Sequence, residues 1–411
     1  MSYSFIKRLA LLGGLAFGMN LYAQDSGALV EALVRKGILS DQEAEEIRAD
    51  LAREVAVPPA TATAGSTFTT RMRVSGRLQT QFAGLGTDID GVAVDPASTS
   101  HFFARRVYLT LRADLGPDWN TNITYDFAGS LFDAAWVQWK KGLTTVDIGL
   151  RKVNLGYEER TSSGSLKAIE RSGVTRYFVE ENNGRRLGAG SYRVGIFADG
   201  RNGKFFWGAA VTNPERAVNF STVAGTGSAA NNTPAFWANA GFNGLLSNGT
   251  YLFGAGYGML PDQGGKTVGT GNDLSVYTVY TDLTLGRLNF AAEYMASSND
   301  RGTSATADSD ASGYWIQPSF LFTPKFEGVL RYSYLDSDGR GVNLSDGVRS
   351  APSGGTMDKL TEMYAGFNYY ILGNDLKFQL GYVYGKTEDT ITGGKAKAEA
   401  TGVRSQLQLN F

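Results

Sequence analysis

A chain of 411 residues with no cysteine and a single histidine, His101, has little equipment for covalent chemistry. Thiolate nucleophiles, thiolate zinc sites and histidine metal clusters are excluded outright. A hydrolase would have to combine His101 with Ser98 or Ser100 and a carboxylate, and no nucleophile motif surrounds them. Gly265-Lys266-Thr267 ends like a phosphate-binding loop, but Leu260 stands where the first glycine of that motif belongs. Asp336-Ser337-Asp338-Gly339 opens like a calcium loop, with no glutamate to close it. The expectation is a non-enzyme with no catalytic residue, no metal and no other cofactor.

What recurs instead is arginine at alternate positions. Arg71, Arg73 and Arg77 share one face of an extended segment, opposite Met72, Val74 and Leu78. Arg106, Arg112 and Arg151 take the equivalent face of later segments, and Arg193 joins them. A row of fixed cations gives an anion a partner each time it sheds water. Arginine suits the task because its planar fork matches oxyanions and it keeps its charge. The chemistry on offer is therefore noncovalent handling of small anionic or neutral solutes. The formal net charge of −1 gives no basic surface for nucleic acid.

Those side chains need extended segments held side by side with one wet face. From 68 to 411 the pattern has period two almost throughout. Over 119–127, Trp119, Thr121, Ile123, Tyr125 and Phe127 oppose Asn120, Asn122, Thr124 and Asp126. Over 403–411, Val403, Ser405, Leu407, Leu409 and Phe411 oppose Arg404, Gln406, Gln408 and Asn410. One face is too polar, and the other too rich in aromatic residues near segment ends, for a soluble sandwich. The chain carries 23 Phe, 20 Tyr and 6 Trp, an abundance that suits two aromatic girdles. The predicted class is all-β, a transmembrane antiparallel β-barrel of about sixteen strands with a polar lumen. Tight connections at Gly116-Pro117-Asp118, Lys141-Gly142-Leu143, Thr323-Pro324-Lys325 and Leu372-Gly373-Asn374 alternate with long ones at 83–101, 214–233, 298–311 and 336–358. Closure pairs every edge strand, as lipid requires.

The segment before the barrel reads differently. Residues 1–23 resemble an export signal, with Lys7 and Arg8 preceding an apolar run too short to span a bilayer as a helix. Residues 24–54 carry apolar side chains at helical spacing, broken at Gly37 and restarted by a Ser40–Glu43 capping box. They form a periplasmic helical segment, read either as a self-association element or as a loose helical hairpin. Residues 55–67 are a linker, and 68–411 the barrel, with the sixth strand placed over 185–198.

One connection, 153–184, is far longer than a turn and rich in charge. It holds Arg160, Lys167, Arg171 and Arg176 against Glu158, Glu159, Glu170, Glu180 and Glu181. A loop of this length is usually functional, and one folded into a sixteen-stranded barrel sets its narrowest point. Its own charges sum to −1, less basic than a dedicated phosphate site. Glu158, Glu159, Arg160, Lys167, Glu170, Arg171 and Arg176 are the expected constriction residues.

The stretch GLRKVNLGYEERTSSGSLKAIERS, residues 149–172, resembles the constriction-loop signature of the phosphate-selective porin O and P family. Gly149, Arg151, Gly156, Ser162, Ser163, Glu170, Arg171 and Ser172 carry the match. The following RRLGAGSYRVGIFADG, and the segment ending Ala209-Ala210-Val211-Thr212-Asn213, are also similar to that family. The resemblance implies a bacterial outer-membrane porin, a sixteen-stranded barrel, a homotrimer, and passive uptake of anions such as phosphate. The terminal Phe411 resembles the signal read by the outer-membrane assembly machinery. Lipid and lipopolysaccharide are the partners such a location implies. The rival readings are a closed-barrel adhesin or structural anchor, and an outer-membrane hydrolase using His101.

Overall fold

In the computed structural model, residues 71–411 are described except 94, 182, 215–218, 221–232, 262–272, 305–306 and 390–395. The export signal, the helical segment, the linker and the Gly265-Lys266-Thr267 motif lie outside the described residues. No described helix is long and apolar enough to cross a membrane.

Sixteen strands run in order around the wall, each antiparallel to its neighbours: β1 (Arg71–Ile89), β2 (Thr99–Asp114), β3 (Trp119–Asp126), β4 (Leu131–Lys141), β5 (Thr144–Lys152), β6 (Tyr192–Asn202), β7 (Phe205–Thr212) and β8 (Ala235–Leu246). They continue as β9 (Gly249–Leu260), β10 (Leu274–Leu285), β11 (Leu288–Ser304), β12 (Ser312–Thr323), β13 (Phe326–Asp336), β14 (Lys359–Leu372), β15 (Leu376–Asp389) and β16 (Ala396–Asn410). β1 pairs with β16 from Arg77↔Asn410 to Ile89↔Ala398, which closes the barrel. A further short strand, Ala307–Ser309, extends the pairing of β11.

The alternation seen in the sequence becomes two surfaces. Met72, Val74, Leu78, Ile148, Leu330 and Leu407 are exposed on the outside, while Gln79, Gln81, Gln406 and Gln408 are buried on the inside. Outward aromatic rings gather near the two rims. Beside the tight turns, Phe320, Phe322, Phe326, Phe367 and Phe378 form a chain of ring contacts at centroid distances of 5.1, 5.8, 5.4 and 6.4 Å. At the opposite rim, Tyr257 meets Tyr277 at 5.2 Å and Tyr314 meets Tyr332 at 6.1 Å. An apolar band between aromatic girdles is the outer surface that a bilayer requires.

Two corrections to the sequence reading emerge. The sixth strand begins at Tyr192, not at 185, because the preceding backbone pairs inside the barrel. Leu187 N donates to Tyr177 O at 2.9 Å and Ala189 N to Phe178 O at 2.8 Å. The inward segment therefore runs to Ser191. The lumen is also not polar throughout. Val153, Leu155, Val174, Tyr177, Phe178 and Leu187 pack against Trp237, Leu260, Met295, Trp315 and Leu335 of the wall, forming a hydrophobic core within the barrel.

The inward segment carries two short helices, α1 (Tyr157–Arg160) and α2 (Gly173–Val179). Gly156 enters α1 at φ +80°, and a Cβ there would overlap the Glu293 carboxylate, so the turn requires glycine. Ser172 caps α2 by accepting from Thr175 N at 3.1 Å. A second inner loop spans 337–358 and contains α3 (Leu344–Gly347). Leu344, Val348 and Met357 pack with Leu85, Ile169, Tyr364 and Val383. α2 and α3 approach closely enough that a Cβ on Gly173 would stand 3.0 Å from the Gly347 Cα.

Candidate functional site

The arginines of β1 lie on the inward face, with Arg73 held by the neighbouring wall and Arg77 by the wall and the inward segment. Arg73 Nη2 donates to Asp114 Oδ1 at 3.1 Å, and Arg73 sits in register with Arg112 of β2. Arg112 Nε donates to Asn122 Oδ1 at 2.9 Å, yet the residue remains exposed. Arg71 is half-exposed one step nearer the rim. Arg77 reaches Asn410 Oδ1 at 2.7 Å, Ser163 Oγ at 2.8 Å and Ser162 Oγ at 3.1 Å, tying the wall to the inward segment. Arg151 bridges Asp147 and Asp199, the latter at 2.5 Å, and lies over the Phe197 ring.

Arg106 and Arg193 occupy a different environment. Arg106 is buried and donates to Gln79 Oε1 at 2.7 Å. Arg193 is buried and donates to Gly188 O at 2.6 Å. Both brace protein against protein, so five of the seven expected arginines are left at least partly open to the lumen.

Apart from the exposed Glu181, the charged groups expected at the constriction are engaged by partners. Glu158 accepts from Ser172 N and Oγ, both at 2.8 Å, and from Arg331 Nη1 at 3.0 Å. Glu159 meets Lys152 Nζ at 3.5 Å and Arg171 Nε at 3.3 Å. Arg160 donates to Tyr280 Oη at 2.8 Å, and Lys167 to Ser319 Oγ at 2.9 Å and Glu327 Oε1 at 2.8 Å. Arg171 also donates to Glu158 O and Thr161 O, both at 3.1 Å. Arg176 spans to the second loop, donating to Gly347 O at 2.7 Å and to Glu180 Oε1 at 3.1 Å.

Glu170 is the hub. Arg105 Nε reaches it at 2.6 Å, Gln81 Nε2 at 2.9 Å and Arg349 Nε at 3.0 Å. Burial by itself would raise its carboxyl, but Arg105, Arg349 and Arg106 hold it well below the usual carboxylate range. Burial likewise opposes the charge on Glu180, and Arg176 and Arg349 bring it down to about 2. Arg171 keeps its proton against burial because Glu159 and Glu158 face it.

Several of these partners escape a period-two reading. Arg105 and Arg106 are consecutive, yet both serve inner partners, because a β-bulge in β2 places two residues opposite one at Gln79/Thr80. Arg349 lies in a loop where no period applies. Arg404 is on the polar face of its strand, where alternation already puts it. Three wall carboxylates moor the inward segment: Glu293 accepts from Tyr157 N at 2.9 Å, Glu362 from Gly173 N at 2.6 Å, and Glu327 from Lys167. His101 is exposed and stacks on Phe103 at 5.1 Å. Among the described residues no group of three or more metal-ligating side chains is assembled.

A family model described as "Phosphate-selective porin O and P" matches residues 73–411. The chain belongs to that family. This porin shares its fold with solved outer-membrane channels. An anion-selective porin from Comamonas acidovorans superposes with a TM-score of 0.59 at 14% identity, over 83% of this chain and 99% of that one. The outer membrane channel DcaP of Acinetobacter baumannii gives 0.56 at 15%, over 85% and 99%. Salmonella typhi OmpF, in complex with daunomycin, gives 0.52 at 12%, over 83% and 97%. No curated protein matches the sequence. Family and fold make this an outer-membrane channel protein of bacteria.

Proposed function

We propose that this porin is a passive, anion-preferring diffusion channel, exported through residues 1–23 and assembled as a homotrimer with residues 24–54 in the periplasm. Solutes would move down their gradient past Arg71, Arg73, Arg77, Arg112 and Arg151. The observation that carries the reading is the set these five form on the lumen face, where none is fully buried and Arg112 is exposed. Arg73 and Arg151 share their charge with Asp114, Asp147 and Asp199, as Lys167, Arg171 and Arg176 do with carboxylates of the wall and the segment. A sixteen-stranded barrel is wide enough for water beside such a segment. Phosphate fits the fork of arginine and is the family's implied solute. Insertion through Phe411 suits its place in the fold: its backbone closes the ladder on Gly76, and its ring covers that glycine.

The test is the reversal potential of purified protein in a planar bilayer under a potassium chloride gradient, with and without phosphate. Anion-favouring current that phosphate blocks is expected, with the potential moving toward zero in the Arg73→Gln, Arg112→Gln double variant. Cation-favouring current would overturn the preference. The apolar packing inside the barrel favours one second reading, a closed adhesin or anchor, which absence of current from folded protein would select. Loss of a hydrolytic activity in His101→Ala would select the enzyme.

A further inference from the structure

Behind the inward segment, the two inner loops and the wall enclose a small cavity lined by Arg171, Arg331, Arg349, Arg404, Glu170 and Glu362 among others. Arg404 is 2% exposed, and neither Nη1 nor Nη2 has a hydrogen-bond partner among the described residues. Arg331 Nε is buried in the same condition. Three donor nitrogens without an acceptor therefore belong to guanidinium groups lining one space. The two lining carboxylates already have partners. Glu362 accepts from Arg331 Nη2 at 2.8 Å, Ser333 Oγ at 3.0 Å and Gly173 N at 2.6 Å. Glu170 is held by Arg105, Arg349 and Gln81.

The charge balance points the same way. Of the four guanidinium groups that line the cavity, Arg171, Arg331 and Arg349 also reach Glu159, Glu158 and Glu180, and Arg404 alone has no carboxylate partner among the described residues. A buried guanidinium without acceptors is unfavourable unless something supplies them. Water can accept from these nitrogens but leaves the Arg404 charge unbalanced, whereas an anion accepts from them and neutralises it. The space is small, which suits a monatomic ion better than a tetrahedral oxyanion.

We propose that this cavity binds one halide ion, chloride in the cell, between Arg404 of β16 and Arg331 of β13, in a space that both inner loops also line. The ion is a resident of the fold and not a solute in transit, since both arginines are sealed from the lumen. The site is independent of the ion preference proposed above.

The probe is bromide. Crystals of the full chain grown in bromide should show an anomalous peak within hydrogen-bond distance of Arg404 Nη and Arg331 Nε. The folded protein in detergent should melt higher as chloride replaces gluconate at fixed ionic strength, and Arg404→Gln should lose that dependence. A bromide peak only at lumen or surface arginines overturns the site, as does melting indifferent to chloride. If Arg404→Gln does not fold, the bromide experiment on the unaltered protein still decides. A reversal potential changed by Arg404→Gln places the group in the permeation path and overturns a sealed site. Absence of anion preference in unaltered protein with the bromide peak present leaves the site standing.

Discussion

The inward segment is held in two ways along its length. From Ser162 to Arg171 only Leu166, Ala168 and Ile169 are buried apolar side chains, and the backbone is fixed by directional bonds. Gln408 Nε2 donates to Gly164 O at 2.9 Å, Gln79 Nε2 to Ser163 O at 3.0 Å and Gln379 Nε2 to Lys167 O at 3.0 Å. From Gly173 to Ala189 it is held by burial, with Val174, Tyr177, Phe178, Leu187 and Ala189 fully enclosed. Burial is strong and tolerant of small shifts, whereas a hydrogen bond weakens steeply with geometry. One half therefore supplies most of the adhesion, and the other sets where the segment stands in the lumen.

The sharpest way to break that division is Phe178→Ala. It empties a fully buried site and should destabilise the inner fold by about 3–5 kcal/mol. Accelerated proteolysis within the inward segment, with the barrel still folded, is the expected reading. On the polar half, Glu327→Gln removes the carboxylate that accepts from Lys167, Asn368 at 3.0 Å and Tyr370 at 2.5 Å. A loss of about 1.5–3 kcal/mol is expected, as for hydrogen bonds to a charged group. Its signature should be channel noise and altered conductance in single-channel records more than early unfolding.

Acid tests the joint between the two loops. Glu180, whose folded value is about 2, receives Arg176 and Arg186 of its own segment and Arg349 of the second loop. A lowered carboxyl stabilises above its unfolded value and loses that contribution as pH falls through the folded one. Channel current should hold steady from pH 7 to the ordinary carboxylate range, then change as pH approaches 2. Glu180→Gln should move any such change out of the titration altogether. The smallest stability effect is expected for Arg73→Gln with Arg112→Gln. Partly solvated surface charges of this kind alter unfolding by less than about 0.5 kcal/mol each. Denaturant midpoints should be nearly unchanged while the reversal potential moves.

The particular errors of the sequence reading have physical causes. Arg71, Arg73 and Arg77 were legible because a flat strand in a wall with one greasy face leaves no choice of side. Arg105 was not, because a bulge inserts one residue and resets parity without a local signature. The segment 185–191 reads as strand, yet it pairs with the end of α2 inside the barrel. Trp237, Met295 and Trp315 face inward although apolar. Alternation separates two faces, but it cannot say that part of the inner face will be covered by a loop from elsewhere in the chain.

By itself the amino-acid sequence determined the barrel: the strand number, the tight and long connections, the outward apolar band and the arginine face. Each follows from local spacing read against a solvent that accepts no unpaired backbone. Only the tertiary structure decided which arginines stay open to the lumen and which are spent on Glu158, Glu159, Glu170 and Glu180. Those pairings join residues as distant as Arg349 and Glu170, and such contacts depend on how two long loops fold together within one enclosed space.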